Sequence, residues 1–261
     1  MLEISSHVIY ESVQDDAGHP DLVTVAISLF NYAQFLPAAV QSIAAQTHQP
    51  LELIIVDDVS TQDDSVRVAQ EWMEANRHRF TRVLLLQHQR NQGLARSRNT
   101  AFAHARGAYV FVMDADNMVY PRAIARLLQA VRDSKAAASY PQLEIFGARR
   151  ALGTADVWQT EWLGTGNYID AMALVSVRAW RDVGGYSHIE GGWEDYDFWC
   201  KFVEQGYEAV FAPEILCRYR VHSNSMLRTE SARSYDSMFI EMTIRHPWMR
   251  LTAIPEELKL P

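Results

Sequence analysis

Four short apolar runs punctuate the first half of the chain: Leu22 to Leu29, Leu51 to Val56, Arg82 to Leu86 and Ala108 to Met113. Their apolar residues are continuous rather than alternating, as in strands of a parallel sheet covered on both faces. The intervening segments change period. Leu36, Val40 and Ile43 recur at helical spacing, with Pro37 suited to a first helical turn. Val66, Ala69 and Met73 repeat the pattern behind Asp63 or Asp64 as N-cap. Leu94, Ala101, Phe102 and Ala105 line a third helix that Gly107 ends, and Pro121 opens a fourth through Ile124, Leu127, Leu128 and Val131. This alternation predicts an α/β fold with a doubly wound sheet.

Beyond Ala136 the texture shifts to more Trp and Gly. Short strands are expected at Val157 to Trp162, Met172 to Val177 and Ala209 to Phe211, with a helix from Tyr196 to Gln205 closed by Gly206. No Pro-, Ser- or Gly-rich spacer separates the halves, so a mixed second half should share one mostly parallel sheet with the first. The expected divisions are an N-terminal extension (1–21), a first half (22–135), a second half (136–228) and a C-terminal helical segment (229–261).

Composition removes several classes of function. With 24 basic against 32 acidic residues the net charge is −8, which argues against adhesion to nucleic acid. Cys200 and Cys217 form no CxxC pair, so free thiols in a reducing compartment are expected, and not a cysteine-held metal. The acidic start (Glu3, Glu11, Asp15, Asp16) is unlike a secretory signal, and no apolar run approaches the roughly 20 residues of a spanning helix. A cytoplasmic protein is the expectation. The stretch Met238 to Leu251, with Trp248, Arg245 and Arg250, is read as a helix packed on its own domain, with peripheral membrane contact as the alternative.

In open parallel sheets ligands gather at the carboxyl ends of the strands. Here the first predicted strand ends in Ser28-Leu29-Phe30-Asn31-Tyr32, the second in Asp57-Asp58-Val59-Ser60 and the fourth in Asp114-Ala115-Asp116-Asn117. Carboxylates crowded at one edge repel each other unless a cation or a donor-rich ligand is present. Asp114 and Asp116 offer hard oxygen ligands suited to Mg²⁺ or Mn²⁺ and leave room for phosphate oxygens. Capping the next helix is the alternative role for Asp57, Asp58 and Asp116. Asn91, Gly93, Arg96, Arg98 and Asn99 precede or open a helix, where a cation and backbone N–H groups suit an anion; solvated arginines are the plainer reading. In Gly191-Gly192-Trp193-Glu194-Asp195-Tyr196-Asp197, Gly192 permits close backbone approach and Trp193 offers a flat platform for a sugar or base. Glu194 and Asp195 are candidate general bases, whereas Asp197 reads better as a first-turn acid on the helix dipole. His222 follows a strand-like run and is a candidate metal ligand or a structural histidine.

In their order along the chain these segments resemble the family 2 nucleotide-sugar glycosyltransferases of the GT-A fold. The resemblance runs from about Val23 to Met226 and rests on Phe30-Asn31-Tyr32, Val56 to Thr61, Asn91 to Asn99, Gly107-Ala108-Tyr109, Asp114-Ala115-Asp116, Trp193-Glu194-Asp195 and the His222 segment. It implies that Phe30, Asn31, Tyr32, Asp58, Asn91, Gly93 and Arg98 hold a nucleotide, most often uridine diphosphate. It implies further that Asp114 lies near ribose and metal, that Asp116 and His222 hold Mn²⁺ or Mg²⁺, and that Asp195 is the base of an inverting transfer to a glycan or lipid-linked glycan. The chain departs from the family pattern at Ser28, where proline is common, at Val59, where glycine is common, and at Asn117, where another Asp is frequent. A nucleotidyltransferase would share the sheet and the paired Asp but needs a Gly-rich basic loop, and Ser28 to Ala33 contains neither Gly nor Lys. A non-catalytic nucleotide-sugar or glycan-binding module is the third reading, and the Glu194-Asp195 pair argues against it.

Overall fold

A computed structural model describes residues 5–14, 18–222 and 235–251. In chain order the elements are β1 (Ser6–Val13), β2 (Val23–Leu29), α1 (Leu36–Ala44), β3 (Leu51–Asp57), α2 (Ser65–Asn76), β4 (Arg82–His88), α3 (Leu94–His104), β5 (Tyr109–Asp114) and β6 (Met118–Val119). There follow α4 (Ala123–Ser134), β7 (Ala138–Gly147), β8 (Ala151–Leu152), α5 (Thr160–Leu163), β9 (Leu174–Ser176), α6 (Val177–Asp182), α7 (Glu194–Glu204), β10 (Ala209–Val221) and α8 (Tyr235–Arg245). The strands form one sheet in the order β1-β4-β3-β2-β5-β9-β7-β10-β6, with β8 alongside β7. The four predicted strands, β4-β3-β2-β5, are its parallel heart. Antiparallel β9 joins β5 to β7, and β7 runs parallel to β10, so both halves do share the sheet.

Successive residues of a strand point to opposite faces, and the continuous apolar runs therefore feed two cores. Val25, Ile27, Leu53, Ile55, Val83 and Leu85 pack with α1, α2 and α4 on one face. Ala26, Ile54, Val56, Leu84 and Leu86 meet Phe102 of α3 together with Trp180, Phe198 and Trp199 from the second half on the other. Each fully buried Val, Leu, Ile or Phe among them stabilises by about 1.5–3 kcal/mol.

Several expectations need correction. The N-terminal extension contains an edge strand: β1 pairs antiparallel with β4, and its Glu11 accepts from Arg82 Nε at 2.7 Å. Its mixed, half-exposed pattern carries no periodic signal. Val157 to Trp162 is not a strand, because Tyr168 Oη bonds the main chain at Val157 and Gln159 and the segment then turns into α5. The long β7 was not anticipated, nor was the union of the Ala209 to Phe211 run with the strand-like run before His222 into one strand, β10. Gly107 does not stop α3, which ends at His104; a Cβ there would lie 2.6 Å from the Leu22 carbonyl oxygen. The N-cap position of α2 is Asp64, yet Asp63 Oδ1 accepts from Ser65 N.

The C-terminal helix packs on its own domain through Met238 and Met242, while Ile240 and Ile244 face outward. Asp197 is the first-turn acid of α7 that was expected, and it is also the anchor of the C-terminal helix. It is fully buried, receives His246 Nε2 at 3.2 Å and Lys201 Nζ at 2.9 Å, and has Arg245 at 3.5 Å. Burial opposes its charge, but His246 and Lys201 prevail and hold its pKa down to about 2. Among the described residues no helix is long and apolar enough to cross a membrane.

Candidate active site

Register brings the strand ends level. Ser28 lies beside Asp114, Leu29 beside Asp57, and Asp57 beside Gln87, so the loops after β2, β3, β4 and β5 open on one rim. Two of these loops are tied together first. Asn31, at φ +56°, accepts from Thr61 N and Gln62 N, and its own N–H donates to Ser60 Oγ. Its side chain is thus a brace, whereas the neighbouring Phe30 ring stands 44% exposed. Asp57 accepts from Val59 N, Ser60 N, Ser60 Oγ and Gln87 Nε2, which folds the turn and holds Val59 at φ +67°, in the left-handed region that glycine favours.

Asp58 turns inward and is only 4% exposed. Its carboxylate accepts from Gly93 N at 2.7 Å and from Gln92 N, with His88 Nδ1 at 2.6 Å, while Asn91 Nδ2 donates to its carbonyl. Asp58 therefore builds the loop that carries Asn91 and Gly93 and offers little surface to a ligand. It caps no helix. Asn99 is likewise structural, bonding Trp180 Nε1 and both main-chain groups of Tyr186.

Arg98, on the first turns of α3, is 4% exposed and is no solvated arginine. Its Nη2 faces both carboxylate oxygens of Asp114 at 3.1 and 3.4 Å, and its guanidinium lies 5.4 Å from the centre of the Tyr186 ring. Burial works against its charge, yet Asp114, with further help from Tyr186, Glu194 and Asp195, keeps its pKa above the ordinary value. Asp116 receives His222 Nε2 at 3.0 Å, and His222 packs against Phe35 and Tyr32. Burial, then the charge of Asp114, pushes the Asp116 carboxyl up to about 6 against the pull of His222. Asn117 faces β10 instead, where its Oδ1 accepts from Arg220 N.

Residues suited to a divalent ion are Asp116 and His222, whose carboxylate oxygen and imidazole nitrogen lie 3.0 Å apart. Asp114, the third residue expected at the ion, turns both oxygens toward Arg98 Nη2. No group of three His, Cys, Asp or Glu side chains gathers as a metal site among the described residues.

Across the cleft the chain enters α7 through three left-handed residues, Gly191 (φ +92°), Gly192 (φ +117°) and Trp193 (φ +69°). A bulky residue in that region stores strain of the kind that persists at functional sites. The turn delivers Glu194 and Asp195 to the start of the helix, and the Trp193 ring rests edge-on to Tyr196. Asp195 accepts from Tyr196 N and from Asn167 Nδ2. Burial raises both carboxyls above their ordinary values, Glu194 to about 7, with Arg98 opposing.

Sequence reasoning missed Asp170. Val112 N donates to Ala173 O, so the chain just before β9 runs back past the end of β5, and Asp170 lies beside the Asp114 rim. Burial lifts its carboxyl to about 7, with Asp195 and Asp114 adding to the effect. Asn167 and Asp170 sit on a segment without regular structure, so no periodicity marks them; the acidic residue directly ahead of the apolar run Ala171 to Val175 was the available signal.

A parallel sheet with carboxylates, a buried arginine and a histidine on its rim, extended by a mixed half that brings two further carboxylates, defines the GT-A class of α/β transferases. The model of the family described as Glycosyl transferase family 2 matches residues 24–173, and the chain belongs to that family. It is 26% identical over 225 residues to the Bacillus subtilis (strain 168) protein named "Putative glycosyltransferase EpsE", covering 84% of this chain and 80% of that one. It is 24% identical over 209 residues (79% and 80%) to the Escherichia coli UDP-Glc:alpha-D-GlcNAc-diphosphoundecaprenol beta-1,3-glucosyltransferase WfaP. Among solved structures, the mannosyltransferase PcManGT of Pyrobaculum calidifontis, in complex with GDP-Man and Mn²⁺, superposes with a TM-score of 0.67 at 20% identity, over 94% of this chain and 68% of that one. TarS 1-349 of S. aureus, in complex with UDP-GlcNAc, gives 0.65 at 14% identity over 85% and 66%. At these identities the structural likeness is one of fold.

Proposed function

We propose that the protein is an inverting glycosyltransferase that moves a sugar from a nucleoside-diphosphate sugar to a hydroxyl of a glycan or lipid-linked glycan. The observation that carries this reading is the convergence of Asp114, Glu194 and Asp195 on the buried Arg98, with Asp116 close enough to Asp114 to feel its charge. Asp114 and Asp116 lie on the nucleotide side of the rim, with the exposed Phe30 ring as a platform for the base and the Asn91 to Gly93 loop beside it. The GDP-Man and Mn²⁺ complex of PcManGT and the UDP-GlcNAc complex of TarS support a sugar-nucleotide donor. Uridine diphosphate is the leading candidate for the nucleotide.

Asp116 and His222 would hold Mn²⁺ or Mg²⁺ together with the donor diphosphate. Such an ion supplies neutralisation of the charge that builds on the departing diphosphate. On the acceptor side Asp195, kept in place by Asn167 and by Tyr196 N, takes the proton of the acceptor hydroxyl as that oxygen attacks the anomeric carbon from the face away from the diphosphate. Glu194, buried and held up near 7, sits beside it as the alternative base. Trp193 and the close-approaching Gly192 would shape the acceptor side. The test is a thermal-shift panel of nucleoside diphosphates with and without Mn²⁺, since a ligand that binds only the folded state raises its stability. Stabilisation by UDP that strengthens with Mn²⁺ is expected; no response to any nucleoside diphosphate would overturn the reading.

A further inference from the structure

Arg220 has no role in the scheme above, yet it is the side chain most closely engaged with the Asp116 main chain. Its Nε donates to Asp116 O at 2.8 Å, and its own N–H donates to Asn117 Oδ1 at 2.9 Å. Two residues further on, His222 Nε2 meets the carboxylate of the same Asp116 at 3.0 Å. The guanidinium is held between two rings, 4.9 Å from the centre of Phe35 and 4.5 Å from that of Phe146, its register partner on β7. Phe35 in turn packs on the His222 ring with centroids 4.8 Å apart. One arginine thus touches the backbone of Asp116, the neighbouring Asn117 and the ring that backs His222.

We propose that Arg220 is a positioning residue of the donor site, clamping the Asp116 carbonyl while His222 engages its carboxylate, so that the two fix where Asp116 presents its oxygens to a cation and diphosphate. The inference rests on the donor-side role proposed above for Asp116 and His222. The arrangement needs an arginine in particular. A planar guanidinium can stack between two rings and donate along its edge at once, whereas an ammonium keeps the charge but cannot do both. Outer residues that orient ligands of this kind affect metal affinity by about 10- to 100-fold when removed.

The test is calorimetric titration of UDP and of GDP, each with and without Mn²⁺, into the wild type, Arg220→Ala, Arg220→Lys, Phe146→Leu and Asp116→Asn, alongside each variant's melting temperature. Arg220→Ala should lose about 10- to 100-fold of the Mn²⁺-dependent part of nucleotide affinity with the metal-free affinity unchanged. Arg220→Lys should recover part of that loss, and Phe146→Leu should show a smaller loss in the same direction. Should Arg220→Ala fail to fold, these two variants carry the test. Wild-type Mn²⁺ dependence in the folded Arg220 and Phe146 variants, with that dependence lost in Asp116→Asn, would overturn the clamp and leave the donor site standing. Wild-type dependence in Asp116→Asn as well would overturn the donor-site reading itself.

Discussion

Asp58→Asn separates a ligand contact from a loop brace. The substitution keeps size and shape and replaces one carboxylate oxygen with an amide donor. In the native site that carboxylate takes Gly93 N at 2.7 Å, Gln92 N at 2.9 and 3.1 Å and His88 Nδ1 at 2.6 Å. Either orientation of the amide sets an NH₂ group against a backbone N–H or against the imidazole. Buried hydrogen bonds to a charged group contribute about 1.5–3 kcal/mol each, so losing two of them costs about 3–6 kcal/mol. Over 261 residues an unfolding entropy of about 2.1 cal/mol/K per residue sums to about 0.55 kcal/mol/K, and the melting temperature should fall by about 5–11 °C. Scanning calorimetry without any nucleotide measures this directly. A variant that melts within a degree of the wild type but no longer binds nucleotide would put Asp58 on the ligand and refute the brace.

Three further outcomes follow from the same structure. Because burial raises the Asp195 carboxyl and a base must be ionised, kcat/KM should rise with pH through an acid limb that disappears in Asp195→Asn; a limb near 7 that survives in that variant and is lost in Glu194→Gln assigns the base to Glu194. The Asp197–His246 cluster should hold α8 most firmly between about pH 4 and 6.5, since Asp197 loses its charge as pH falls from 3.8 toward about 2 and His246, raised above 6.5 despite burial, loses its own as pH rises through that higher value. His246→Gln should then cost about 3–5 kcal/mol and speed tryptic cleavage at Arg245, and unchanged cleavage would refute the anchor. Val59→Gly relieves a β-branched residue at φ +67° and should raise stability by about 1 kcal/mol, read as a higher melting temperature; a clear drop would mean that the side chain packs usefully.

What the sequence disclosed and what it hid divide along physical lines. β2 to β5 were legible because strands buried on both faces carry largely continuous apolar runs, as in β3, where every residue is buried and the acid within the run, Glu52, is paired with Thr24 and Arg82. β1 was hidden because an edge strand is held largely by main-chain bonds, here with the Glu11–Arg82 ion pair and the adjacent half-buried Ile9 and Tyr10 packed on the core, none of which imposes a periodic pattern. The acidic strand ends pointed to the rim, since carboxylates crowded there need a counter-charge. Which of them face the ligand was not legible: Asp58 and Asp114 are the same residue type after similar strands, yet one is taken by backbone N–H groups and the other by Arg98. Asp170 and Arg220 depend on how distant strands pair, and no local spacing encodes that.

The central claim is transfer with inversion by a site that uses Asp195 as its base. Real-time ¹H NMR of nucleotide-sugar turnover, wild type beside Asp195→Asn, tests it most directly because the anomeric proton reports the configuration of the first-formed product. An α-linked donor should yield the β product at early times, and Asp195→Asn should slow its formation by about 10²–10⁴-fold while nucleotide affinity stays near the wild-type value. A first-formed product that keeps the donor's configuration, or an Asp195→Asn enzyme that turns over at the wild-type rate, would contradict the account.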